Sequence, residues 1–117
     1  MSDSVLRTKS KEFAKSIILL CRRLKQNGTE APLVNQLLRC GTSVGANIHE
    51  AQYAQGTKDF ISKFEIALKE CNESEYWLEL LYEVNSISKD DYEAFRADCI
   101  ALRRMLVSSV TTLKKRK

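Results

Sequence analysis

The segment Cys40–Ala51, "CGTSVGANIHEA", packs a thiol, two hydroxyls, an amide, an imidazole and a carboxylate into twelve residues. Such groups can serve as nucleophile, base and acid, so their spacing decides what they could do. Cys40 and His49 are nine positions apart. On a helix that puts them on roughly opposite sides and about 13 Å apart along the axis, beyond the reach of a nucleophile–base pair. His49 is the only histidine, and "HEAQY" places Tyr53 where a zinc-protease helix needs its second one. The Glu-x-x-His pairs of di-iron bundles are absent. "GTSVG" lacks the preceding strand that a phosphate loop or dinucleotide fingerprint requires.

Cys21, Cys40, Cys71 and Cys99 fall in four different predicted helices, which raises the question of a four-thiolate metal site. At a rise of about 1.5 Å per residue, Cys40, Cys71 and Cys99 lie near mid-height of an antiparallel bundle and Cys21 nearer one end. Four ligands therefore do not share a layer. The cysteines read as reduced, buried, small apolar residues. No catalytic set is completed, no metal or cofactor is expected, and the sequence predicts a non-enzymatic protein.

The elements that must carry these residues are helices. Apolar residues recur at intervals of three and four almost throughout, and no segment alternates like a strand. The pattern predicts helices over about 4–26, 32–55, 58–86 and 89–113, within one domain at 1–113 and a basic tail at 114–117. Gly28 suits a helix end and Pro32 the first turn of the next. Gly56 marks the second stop, Thr57 is the expected N-cap, and Ser88 with Asp91 resembles a helix-start pair. Four long helices with short joints imply an all-α, antiparallel up-and-down four-helix bundle.

Charge is distributed unevenly. The tail "KKRK" supplies four positive charges, leaving 15 basic against 15 acidic residues in the rest of the chain. In the first helix, Arg7, Lys11, Lys15, Arg22 and Lys25 fall within roughly 80° of one another, and Arg23 adds to the same basic helix. The third helix is acidic. That contrast fits either complementary packing of neighbours or a surface for an anionic partner. The second helix is charge-poor, with Arg39 and Glu50 alone over some 24 residues. A helix in a small bundle ordinarily shows water a charged face, so this one is expected to be covered on more than one side, most simply by another subunit.

On the helical wheel, Gly41 and Gly45 share the apolar side, whereas Arg39, Ser43 and Glu50 lie opposite. Each glycine costs about 1 kcal/mol relative to alanine within a helix, which is understandable where another backbone or a large side chain must come close. Arg39, Ser43, Asn47 and Glu50 are expected to set register against a neighbouring helix or subunit.

The stretch "CGTSVGANIHEAQYAQGTKDFISKFEIALKECNESEYWLELL" carries a resemblance. Its Ser43-Val44, Asn47-Ile48-x-Glu50, Lys58-x-Phe60, Ile66-Ala67-Leu68, Glu73 and Glu75 resemble the bacterial four-helix-bundle family named for proteins encoded within intervening sequences of 23S ribosomal RNA genes. Ala51 departs from the glycine that many relatives carry there. The resemblance implies a bundle assembling into a ring, a homopentamer, without enzymatic activity. The accessory protein of diversity-generating retroelements is similar: a pentameric bundle that binds nucleic acid and a reverse transcriptase through a basic surface.

The function expected is therefore an oligomeric scaffold whose partners are copies of itself and RNA or DNA phosphates. The contact residues would be Arg7, Lys11, Lys15, Arg22, Arg23, Lys25, Lys114, Lys115, Arg116 and Lys117. The alternative is a protein-interaction adaptor using "ESEYWLELLYE" (Glu73–Glu83), with no nucleic acid involved. No apolar run approaches the roughly 20 residues that span a bilayer, and the N-terminal stretch lacks a signal-peptide core. A cytoplasmic setting without a membrane partner is expected.

Overall fold

The computed structural model describes residues 2–116. They form α1 (Ser2–Gln26), α2 (Ala31–Ala51), α3 (Thr57–Glu83) and α4 (Lys89–Lys115), with no strand among the described residues. The apolar stripe of each helix is what it buries. Leu6, Phe13, Ile17, Leu20 and Leu24 of α1 meet Val34, Leu37, Val44 and Ile48 of α2, Phe64, Ala67, Leu78 and Leu81 of α3, and Phe95, Leu102 and Leu106 of α4 in one continuous core.

The helix ends follow from particular residues. Gly28, at φ 80°, takes the left-handed conformation after α1. The N–H of Gly28 bonds to the Lys25 carbonyl at 3.1 Å and that of Thr29 to the Leu24 carbonyl at 3.0 Å. These are the paired bonds of a Schellman stop. Asn85, at φ 65°, does the same after α3, with its N–H on the Tyr82 carbonyl (3.0 Å) and that of Ser86 on the Leu81 carbonyl (2.8 Å). The third helix thus stops at Glu83, short of the expected 86.

The second helix also ends early, at Ala51 and not near Gln55. Successive N–H groups of Gln52, Tyr53 and Ala54 bond back three residues, which tightens and closes the last turn. The Asp59 carboxylate then accepts the Gln55 N–H at 3.2 Å, and Gly56, not Thr57, is the N-cap of α3. Ser88 caps α4 as expected, its hydroxyl oxygen accepting the Asp91 N–H at 3.1 Å. The Asp91 carboxylate faces Arg23 at 3.3 Å, tying α4 to α1.

Each neighbouring pair runs antiparallel. Cys21 donates to the Val34 carbonyl (3.7 Å) between α1 and α2, and Cys71 to the Cys99 carbonyl (3.4 Å) between α3 and α4. Contacts link α1 to α2, α2 to α3, α3 to α4 and, more sparsely, α4 to α1. The diagonal pairs α1–α3 and α2–α4 bring no Cα atoms within 8 Å among the described residues and meet only through the side chains of the shared core. The result is a rod of 48 × 22 × 19 Å. No described helix is long and apolar enough to cross a membrane.

Candidate phosphate-binding surface

Helix α1 carries seven basic residues against two acidic ones, and α3 seven acidic against three basic. These two helices occupy opposite corners, so they do not neutralise each other across a shared seam. Four of the seven α3 acids, Glu65, Glu70, Glu73 and Glu75, pair with bases of its actual neighbours. Arg39 of α2 bridges Glu70 (3.2 Å) and Glu73, Lys63 meets Glu50 of α2 (3.8 Å), and Glu75 holds Arg96 (3.6 Å) and Arg103 (2.6 Å) of α4. Lys114 reaches Glu65 at 2.9 Å.

The basic residues of α1 are left differently. Lys15 pairs with Glu12 of its own helix at 3.1 Å and Arg23 with Asp91. Arg7, Lys11, Arg22 and Lys25 are exposed and make no ion pair among the described residues. The expected tail is largely helical: Lys114 and Lys115 form the last turn of α4, and Arg116 is its C-cap. Because α4 runs antiparallel to α1, these residues lie at the Arg7 end of the bundle. Lys117 lies outside the described residues.

Between α1 and α2 a groove of about 470 Å³ opens near that end. Its walls are Ser4, Arg7, Thr8, Ser10, Lys11 and Ala14 from α1, and Thr42, Gly45, Ala46 and His49 from α2. No carboxylate lines it among the described residues. Close approach of the two helices creates it. A Cβ on Gly45 would sit 3.3 Å from the Ser10 carbonyl oxygen, and one on Gly41 would sit 2.8 Å and 2.9 Å from the branches of Ile17. The hydroxyls of Ser10 and Thr42 donate to carbonyls of their own helices at 3.1 Å and 2.7 Å. Arg7, Lys11 and His49 are therefore the side chains in this groove with N–H groups to offer an anion. A second groove, about 600 Å³, lies between the α2–α3 joint and the end of α4 and is largely neutral apart from Arg116.

The described family "23S rRNA-intervening sequence protein" matches residues 2–108. The chain belongs to this family. It is similar to a crystal structure of a protein with unknown function from the S23 ribosomal protein family of Bacteroides thetaiotaomicron, at 44% identity and a TM-score of 0.91. That alignment covers 95% of this chain and 99% of the other. A search of curated proteins found no match.

In this 23S rRNA-intervening sequence protein, the polar residues of α2 divide between α3 and the backbone of α2 itself. Arg39 and Glu50 both point their charge at α3, and Glu73 also accepts the Trp77 indole N–H at 3.0 Å. That indole bond first, and Arg39 second, hold the Glu73 carboxyl below the ordinary carboxylate range. Ser43 and Asn47 turn inward on their own helix, donating to the carbonyls of Arg39 (2.7 Å) and Ser43 (2.8 Å). The ion pairs of Arg39 and Glu50 thus join α2 to α3 within one chain, and the side-chain hydrogen bonds of Ser43 and Asn47 stay within α2 among the described residues. Gly41 and Gly45 face α1. Sequence reasoning passed over His49 as a groove residue. Its signal was the i, i+4 spacing from Gly45, whose meaning depends on knowing that α1 lies opposite.

Proposed function

We propose that the protein is a non-enzymatic, ring-forming bundle, a homopentamer, that binds RNA or DNA through phosphate contacts in the cytoplasm. The observation that supports this reading is the α1 corner, where Arg7, Lys11, Arg22 and Lys25 stay unpaired among the described residues, diagonally across from α3, whose Glu65, Glu70, Glu73 and Glu75 pair with α2 and α4. Arg7 and Lys25 are 18 positions apart, about 27 Å along the helix, most of a duplex turn. Such contacts release counterions and position a strand without reading its bases. Several copies in a ring would present several such edges together. The ring draws support from the charge-poor outer face of α2, where Asn35, Gln36 and Ala46 are exposed and the formal charges, Arg39 and Glu50, are each paired with α3. One observation favours the adaptor reading: Tyr76 is 56% exposed and meets Trp77 edge-on, an aromatic step on the acidic helix.

A salt titration of duplex and structured RNA binding tests the proposal. Replacing Arg7, Lys11, Arg22 and Lys25 by Gln is expected to lower the magnitude of the log–log salt slope by about 3–4 on duplex DNA. No binding at low salt, or a slope unchanged in the variant, overturns the phosphate-contact reading and leaves the adaptor. Solution mass tests the ring separately, and a monomer at micromolar concentration refutes it.

A further inference from the structure

The α1–α2 groove ends beside an exposed aromatic step. His49 lines the groove, and Tyr53, one helical turn on, stands with its ring centroid 5.5 Å from the imidazole at an interplanar angle of 57°. At 75% exposure, Tyr53 is the most open large apolar side chain among the described residues. Its backbone N–H is already used in closing α2, on the Glu50 carbonyl at 3.0 Å. The ring itself contributes little to the core.

We infer that this end of the bundle takes single-stranded nucleic acid, with one phosphate between Arg7 and Lys11 and an adjoining base on the Tyr53 ring. The inference rests on the phosphate-binding reading above and narrows it. Arg7 and Lys11 are one turn apart on α1, and among the described residues neither has an ion-pair partner for an incoming phosphate to displace. No carboxylate among the described residues lines the groove to repel it. Gly45 brings α2 close enough for His49 to share the groove with these cations. A duplex offers phosphates but keeps its base faces stacked on one another. A single strand offers both, and an open aromatic ring beside a basic groove is the arrangement that binds such strands with little sequence preference.

The test uses the full chain at low salt, with a labelled twelve-nucleotide single strand and the matching duplex, read by fluorescence anisotropy. Tyr53→Ala is expected to weaken single-strand binding by about five- to a hundredfold, to leave duplex binding within about twofold, and to be rescued by Tyr53→Phe. Arg7→Gln with Lys11→Gln is expected to weaken both. The lone imidazole of His49 provides an isolated NMR signal, which should shift when the single strand binds. Equal effects of Tyr53→Ala on both ligands, or none on either, overturn the inference while the phosphate reading stands. So does an unmoved His49 signal at saturating strand, which would mean that the groove is covered or bypassed. Failure of both ligands to bind the unaltered protein removes the phosphate reading and this inference together. Tyr53 lies outside α2 and is exposed, so its variants are expected to retain the far-UV circular dichroism of the parent.

Discussion

Gly41→Ala provides a sharp test of how α1 and α2 are held. Adding one methyl group to an open helical surface gains about 1 kcal/mol from helix propensity. Here the new Cβ would lie 2.8 Å from Cγ2 and 2.9 Å from Cγ1 of Ile17, a side chain with no exposed surface. Ile17 is β-branched and stiff about χ1 within its helix, so relief must come from separating α1 and α2 or from a strained rotamer. Overpacking of this kind costs about 1–3 kcal/mol. Against the propensity gain, the net loss is about 0–2 kcal/mol. Ile17→Ala removes both crowding atoms and alone costs about 2–5 kcal/mol, but in that background Gly41→Ala should become stabilising, because the methyl enters the vacated space. The coupling energy of the cycle is expected at about 1–3 kcal/mol, measured by urea denaturation at one fixed protein concentration. If Gly41→Ala stabilises by about 1 kcal/mol in both backgrounds, the glycine is not there for close approach and the reasoning fails.

Two further outcomes follow from local chemistry. Burial raises the thiols of Cys21 and Cys40 from 9.0 to about 11, so the folded state holds these protons more tightly than the unfolded chain. Their contribution is fully present below pH 9, is lost as pH rises from 9 to 11, and amounts to about 1.4 kcal/mol per thiol at pH 10. The loss should be smaller in Cys21→Ala than in the parent when urea midpoints at pH 8 and pH 10 are compared. Asn85 occupies the left-handed region at φ 65°, where a Cβ-bearing residue lacking a compact polar side chain is disfavoured. Asn85→Ala is expected to lower stability by about 1 kcal/mol and Asn85→Gly to match or exceed the parent; equal melting temperatures for all three would contradict the Schellman assignment.

The helix count and most buried positions were legible because the three- and four-residue apolar spacing is nearly unbroken and needs no tertiary knowledge. Gly28 and Ser88 were legible for a similar reason, since each acts through its own backbone or nearest turn. Asn85 was not: asparagine is only a moderate stop signal, and apolar Val84 and Ile87 let the pattern run on past the end of α3. The overlong second helix had the same origin, because nothing in Gln52–Gln55 forbids a helix. What closes it is a tight final turn and the side chain of Asp59, which belongs to the next element. The basic stripe of α1 could be drawn from the wheel, but the absence of ion-pair partners for Arg7, Lys11, Arg22 and Lys25 among the described residues could not, since that required knowing that α3 lies diagonally across. The same topology settles Arg39 and Glu50, whose separation along α2 excluded a direct pair and whose partners, Glu70, Glu73 and Lys63, all come from α3.

The diagonal placement of the basic and acidic helices also governs how the molecule is met by others. Its two short dimensions are 22 and 19 Å, about two Debye lengths at physiological ionic strength. The α1 edge and the α3 edge can therefore present different potentials to an approaching polyanion, with little blurring of one into the other. Such a body experiences a torque before contact: it rotates about its long axis until α1 leads and α3 trails. Encounter is thereby oriented by the order in which the helices are threaded, and the benefit declines with added salt even where the final contacts survive.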